Sequence, residues 1–174
     1  MNTENKSYTI SIYTENNLGL LNRVSAIFLK RHINIESLTT SQSEIENVNR
    51  FVIVAAMTEH QAYKIVGQLE KQIEVIKAYA HTDEETIYQE TALFKVASDS
   101  LFDERQIQNV IKDSHANIVT VSREFFVIEK TGRRHETEQL YQDLKPYGLM
   151  QFVRSGRISV TKEQMNISKM LAAF

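Results

Sequence analysis

Ser7-Tyr8-Thr9-Ile10-Ser11-Ile12-Tyr13-Thr14-Glu15-Asn16-Asn17-Leu18-Gly19-Leu20-Leu21-Asn22-Arg23-Val24-Ser25-Ala26-Ile27-Phe28 changes its period once, and that change decides the fold. From Ser7 to Thr14 polar and apolar residues alternate. Tyr8, Ile10 and Ile12 face one way and Ser7, Thr9 and Ser11 the other, the pattern of a half-buried strand. Asn16-Asn17-Leu18-Gly19 breaks the alternation. Leu20, Leu21, Val24, Ile27 and Phe28 then recur at helical spacing, with Asn22, Arg23, Ser25 and Lys30 outside. A strand, a short polar turn and an amphipathic helix therefore open the chain.

The pattern continues outward. Asn34 to Ser43 reads as a second strand, and Glu44 to Asn49 as a polar hairpin connection. Phe51 to Met57 is continuously apolar, so a strand covered on both faces is expected. Thr58-Glu59-His60-Gln61 is a capping box opening a helix whose stripe is Ala62, Ile65, Val66 and Leu69. Glu74 to His81 reads as a fourth strand. This is β-α-β-β-α-β in about 75 residues, the split βαβ or ferredoxin-like pattern.

Thr82 to Thr86 reads as an acidic linker, after which the same order recurs. Ala92 to Ala97 is a strand, and Ile107, Val110 and Ile111 mark a helix. Asn117 to Ser122 and Glu124 to Lys130 are strands. Leu140, Tyr141 and Leu144 mark a helix stopped by Lys145-Pro146, and Leu149 to Val153 and Ile158 to Val160 finish the sheet. The expected fold class is α+β, with two tandem ferredoxin-like βαββαβ units over residues 1–82 and 83–161. Residues 162–174 are left as an exposed or partner-bound tail, whose Met165, Ile167, Met170, Leu171 and Phe174 suit a helix.

Composition narrows the function. The 174 residues are 42% hydrophobic and 24% charged, the balance of a globular protein. The net charge of -2 provides no basic field for a phosphate backbone. An RNA-binding version of this fold needs a basic, aromatic-rich strand where Phe51-Val52-Ile53-Val54-Ala55 stands. With no Cys there is no disulfide, thiolate metal site or Cys nucleophile. The closest two of the five glycines, Gly148 and Gly156, are eight residues apart, so neither G-x-G-x-x-G nor a Walker A loop can be written. The first residues are polar and the longest apolar run is seven residues, against about 20 for a membrane span. A cytoplasmic protein, with no nucleic-acid or membrane partner, is expected.

Chemical character concentrates in the first βα turn. The first N–H groups of a helix have no internal partners, and the helix dipole is positive there. Such an end binds a small carboxylate without Arg or Lys. Asn16 and Asn17 offer donors and acceptors, and Gly19 permits close approach of a ligand. On spacing alone the plainer reading is favoured: Asn17 as an N-cap and Gly19 as relief for a tight turn. Asn34 reads equally as a turn or strand-edge residue, and His32 as a helix-end residue. None of the five His pairs at i, i+4, and Ser155 has no visible base. Arg123, Lys130, Arg133, Arg134, Arg154 and Arg157 form either a solvated face or a patch for an acidic partner.

The stretch from Tyr8 to Val24 resembles the opening of an ACT domain. Its continuation, Phe28-Leu29-Lys30-Arg31-His32-Ile33-Asn34-Ile35-Glu36-Ser37-Leu38-Thr39, is similar to the regulatory small subunit of acetolactate synthase, also called acetohydroxyacid synthase. Arg154-Ser155-Gly156-Arg157-Ile158 resembles that family's late R-[ST]-G strand, so the likeness covers roughly residues 7 to 161. His32 stands where the family often has Gly, and Leu18 where it often has a small or polar residue.

The resemblance implies an ACT domain followed by an ACT-like C-terminal domain, with no catalytic residues of its own. It implies a role in valine, leucine and isoleucine biosynthesis, activating the catalytic (large) subunit and conferring feedback inhibition by valine. Thiamine diphosphate, Mg and FAD are expected only in that partner, with no cofactor or metal in this chain. A homodimer or larger oligomer is implied, with ACT domains side by side and the amino acid at their interface. The effector site then maps to Asn16, Asn17, Leu18, Gly19, Leu20 and Leu21, completed by Asn34 and Ile35 from the partner subunit. With the resemblance added, the ligand reading of the turn overtakes the cap reading. The alternatives are a free-standing ACT-type amino-acid sensor acting on transcription or another enzyme, and a metal-responsive ACT-like protein.

Overall fold

The computed structural model describes residues 4–99 and 105–171. Phe174, assigned above to a C-terminal helix, lies outside them. The elements in the first half are β1 (Lys6–Glu15), α1 (Leu20–Leu29), β2 (Ser37–Gln42), β3 (Val48–Met57), α2 (Glu59–Leu69) and β4 (Val75–Thr82). They form an antiparallel sheet in the order β2-β3-β1-β4. The second half repeats this with β5 (Thr86–Ala97), α3 (Arg105–Asp113), β6 (Asn117–Val121), β7 (Phe125–Gly132), α4 (Arg134–Leu144) and β8 (Leu149–Arg154), in the order β6-β7-β5-β8. The architecture is two tandem βαββαβ units. The strand β9 (Ile158–Thr161) and a short helix α5 (Ile167–Leu171) follow. None of the described helices is long and apolar enough to cross a membrane.

Each unit has its own core, built from the residues whose period predicted it. In the first, Ile10, Ile12, Val24, Phe28, Ile53, Ile65 and Leu69 are fully buried between the sheet and its two helices. In the second, Phe94, Val96, Ile107, Phe126, Ile128 and Leu144 play that part. Thr58 opens α2 as expected: its hydroxyl accepts from the Gln61 N–H, and the Gln61 side chain accepts from the Thr58 N–H at 2.9 Å.

Helices α1 and α3 end alike. His32 (φ 54°) and His115 (φ 55°) adopt the left-handed conformation. The Ile33 N–H reaches the Phe28 carbonyl at 3.1 Å, and the Ala116 N–H reaches Ile111 at 3.1 Å. Both are Schellman closures. The position normally filled by Gly is His each time, so backbone geometry and residue repeat together.

Three expectations are corrected. The second strand begins at Ser37, because Asn34 to Glu36 are still leaving α1. Thr82 to Thr86 is a tight turn, not a linker: the Glu85 N–H donates to the Thr82 carbonyl at 3.2 Å, and strand β5 starts at once. The chain also divides elsewhere than at residues 82 and 161. One compact unit comprises the chain through Tyr88 together with everything from Arg157 onward; the other is Gln89–Gly156.

The physical reason lies on the outer face of the first sheet. Thr9, Ser11, Val52 and Val54 there are all at most 8% exposed. The stretch from Arg157 covers that face. An Arg157 Nη donates to Thr9 Oγ1 at 2.8 Å, the Arg157 N–H to Ser37 Oγ at 3.4 Å, and Arg50 to the Ser159 carbonyl. The Lys162 N–H donates to the Glu85 carbonyl at 2.9 Å. Leu171 is buried against Tyr13 and Val48. The supposed tail completes the first unit, which also explains the continuous apolar run of β3.

Candidate functional site

The central strand β1 ends at Glu15, and the chain must turn before α1. Gly19 makes the turn with φ 79° and ψ 1°, a conformation that strains any residue with a Cβ. A Cβ there would meet nothing within 4 Å, so backbone conformation, not crowding, selects glycine. No side chain caps α1. Asn17 is therefore not the N-cap: its Nδ2 donates to Glu15 Oε2 at 2.9 Å. Asn16 Oδ1 accepts from Asn49 Nδ2 at 2.9 Å, and the Asn16 N–H donates to the Asn47 carbonyl at 3.1 Å. These bonds tie the turn to the β2–β3 hairpin.

The result is an exposed helix start with free polarity and apolar flanks. Leu18 is 97% exposed and Leu21 45%, whereas Leu20 is buried in the core. Of the six turn residues expected to hold a ligand, five are presented to solvent; Leu20 supports them from below. Beside the turn Arg23 pairs with Glu74, whose carboxyl is held below the usual range by its own backbone N–H and by Arg23.

Asn34 and Ile35 are not brought to this turn within one chain. Ser37 pairs with Val54, which pairs with Thr9, whereas the turn follows Glu15. Six residues of strand separate the two ends, about 20 Å. Asn34 is exposed, and Ile35 is half-buried against the core.

Two basic residues assigned to a solvated or docking face are internal instead. Arg154 pairs with Glu90 at 3.8 Å and Glu138 at 2.7 Å. Arg157 pairs with Asp83 at 2.6 Å and stacks 3.6 Å over the Tyr88 ring. Their partners lie far away in sequence, so charge patterning could not separate them from surface arginines. Ser155 is a structural tie: its Oγ accepts from the Thr91 N–H at 2.9 Å. Among the described residues no three His, Asp or Glu gather as a metal-binding group.

Comparison with known proteins bears on both units. Residues 10–77 match the family model described as AHAS small subunit-like ACT domain, and residues 89–163 that described as small subunit of acetolactate synthase. The Bacillus subtilis acetolactate synthase small subunit is 36% identical over 148 residues, covering 84% of this chain and 86% of its own. The Mycobacterium bovis acetolactate synthase small subunit is 34% identical over 157 residues, covering 90% and 93%. The crystal structure of the small subunit from Thermotoga maritima superposes with a TM-score of 0.82 at 27% identity, over 92% of this chain and 99% of that one. Two consecutive βαββαβ units, each matched by its own model and both spanned by these relatives, place the chain in the acetolactate synthase small-subunit family.

Proposed function

We propose that this protein is the regulatory partner of a separate catalytic acetolactate synthase subunit in branched-chain amino-acid synthesis, and that its β1–α1 turn senses valine. The observation that carries the reading is the uncapped start of α1 at Gly19, flanked by two asparagines and two exposed leucines. Helix N–H groups suit the carboxylate, Asn oxygens the ammonium, and Leu18 and Leu21 a branched side chain.

The sheet topology supports completion of this site by a second copy. Strand β2 is an edge strand, half-buried to exposed throughout. Two copies joined antiparallel along β2 bring the Ser37 end of one beside the Gln42 end of the other. Asn34 of the partner subunit then lies at the end of the sheet that carries the Asn16–Gly19 turn. Valine that binds one arrangement of the pair better shifts the population toward it, and the catalytic subunit reads that arrangement. A coupling of about 1–3 kcal/mol changes affinity some 5–150-fold, and the catalytic subunit must alter valine affinity by the same factor. Thiamine diphosphate, Mg and FAD belong to the catalytic partner in this reading.

Calorimetric titration with valine, and with leucine and isoleucine for comparison, tests the site. Saturable valine binding that is lost in a folded Asn34→Ala protein is expected. Undiminished valine binding or feedback inhibition in that variant refutes the shared site. Copurification with a thiamine-diphosphate enzyme tests the partnership.

A further inference from the structure

The first unit holds a second concavity that shares no residue with the β1–α1 turn. It has a volume of about 560 Å³, within the range of small-molecule sites. Ser11, Tyr13 and Arg50 on the outer face of the sheet form its floor, and the chain from Ser159 to Ser168 its roof.

Arg50 is the unusual group. One Nη donates to Ser11 Oγ at 3.2 Å and to the Ser159 carbonyl, and the guanidinium lies 5.7 Å from the Tyr13 ring centre. Among the described residues no carboxylate lies within 4.0 Å of it. Its Nε is buried with no hydrogen-bond partner. The residue is only partly buried, and its other Nη makes no hydrogen bond among the described residues and is not buried, so the guanidinium keeps a donor that a carboxylate in the cavity can reach.

The rim carries the opposite charge. Glu44 and Glu163 both line the cavity. The Ser168 hydroxyl donates to Glu44 and, as the largest cause, holds its carboxyl below the usual range. One cation facing two carboxylates disfavours a simple anion and suits a molecule with a charge of each sign. Val160, Met165 and Ile167 supply apolar lining.

We propose that this cavity is a second ligand site, binding a free α-amino acid with an uncharged apolar side chain, its carboxylate on Arg50 and its ammonium toward Glu44 and Glu163. Because floor and roof both hold the ligand, occupancy fastens the C-terminal stretch to the sheet. The inference is independent of the valine reading of the turn.

Hydrogen exchange of the intact protein with L-valine, L-leucine or L-methionine tests it, with calorimetry on variants. At least one of the three is expected to protect residues 159–171. Arg50 also anchors the roof, so the decisive variant is Glu44→Gln with Glu163→Gln, at two exposed positions. It should bind the protecting amino acid about tenfold or more weakly, the effect of losing a hydrogen bond to a charged group. The corresponding 2-oxo acid, lacking the ammonium, should weaken similarly. No protection of 159–171, an unchanged affinity in the double variant, or equal binding of the 2-oxo acid overturns the proposal. Protection confined to residues 16–21 and 34–35 supports the effector turn and overturns this cavity; protection confined to 159–171 does the reverse.

Discussion

The Arg157–Asp83 pair should be lopsided in its response to mutation. The Arg157 side chain is 8% exposed and that of Asp83 34%. Asp83 Oδ1 accepts from Arg157 at 2.6 Å, and its Oδ2 accepts from the Tyr88 hydroxyl at 3.2 Å. Asp83→Ala leaves a buried guanidinium with Thr9 Oγ1 as its remaining side-chain acceptor. Removing one partner of a buried pair costs about 3–5 kcal/mol, and the partial exposure of Asp83 lowers that to about 2–4. Arg157→Met instead removes the buried charge, keeps an apolar stem against Tyr88, and leaves Asp83 free to reach water. Its cost is about 1–2 kcal/mol, from the lost hydrogen bonds. The double variant should then resemble Arg157→Met alone, so the coupling equals the cost of Asp83→Ala, about 2–4 kcal/mol. Urea unfolding of the three variants and the parent measures this, and hydrogen exchange over 157–171 should rise most in Asp83→Ala. Additive effects, or a cost for Arg157→Met exceeding that for Asp83→Ala, would refute the reasoning.

Two further outcomes follow from local geometry. His32→Gly and His115→Gly each relieve a left-handed residue and should stabilise the protein by about 0.5–1 kcal/mol, raising Tm; a lower Tm would show that the imidazoles hold the closures in another way. The Glu85 carboxylate accepts from the Thr82 N–H at 2.7 Å, the bond that chiefly lowers its pKa. A carboxyl whose folded pKa is depressed contributes stability above its unfolded pKa, and loses it as pH falls through the folded value. Glu85→Gln should therefore flatten the acid limb of the stability–pH profile; an unchanged slope in urea unfolding from neutral to acid pH would count against this bond.

What was legible in the sequence was local. Tyr8, Ile10 and Ile12 at period two, Val24, Ile27 and Phe28 at helical period, and the Thr58–Gln61 box each declare an element within a few residues of chain. Order and type of elements sufficed for two βαββαβ units, and the run from Tyr8 to Thr39 sufficed for the family. The turn at Asn16–Gly19 was legible because a strand-to-helix change puts free N–H groups in one place.

Tertiary structure decided where each unit ends and which charges are internal. Arg157 meets Asp83 and Thr9, and Leu171 meets Tyr13, across separations that no periodicity encodes. A solvated arginine and a buried one look alike in sequence, since burial depends on what packs over the residue. Arg50 bonds the Ser159 carbonyl across more than a hundred residues of chain, a contact no local pattern encodes. Sequence by itself determined the elements, their order and the turn, because hydrophobic period and capping act within a helix turn or a strand. Only the folded chain decided the outer face of the first sheet and the cavity beneath its roof, because both are made by segments that meet through burial.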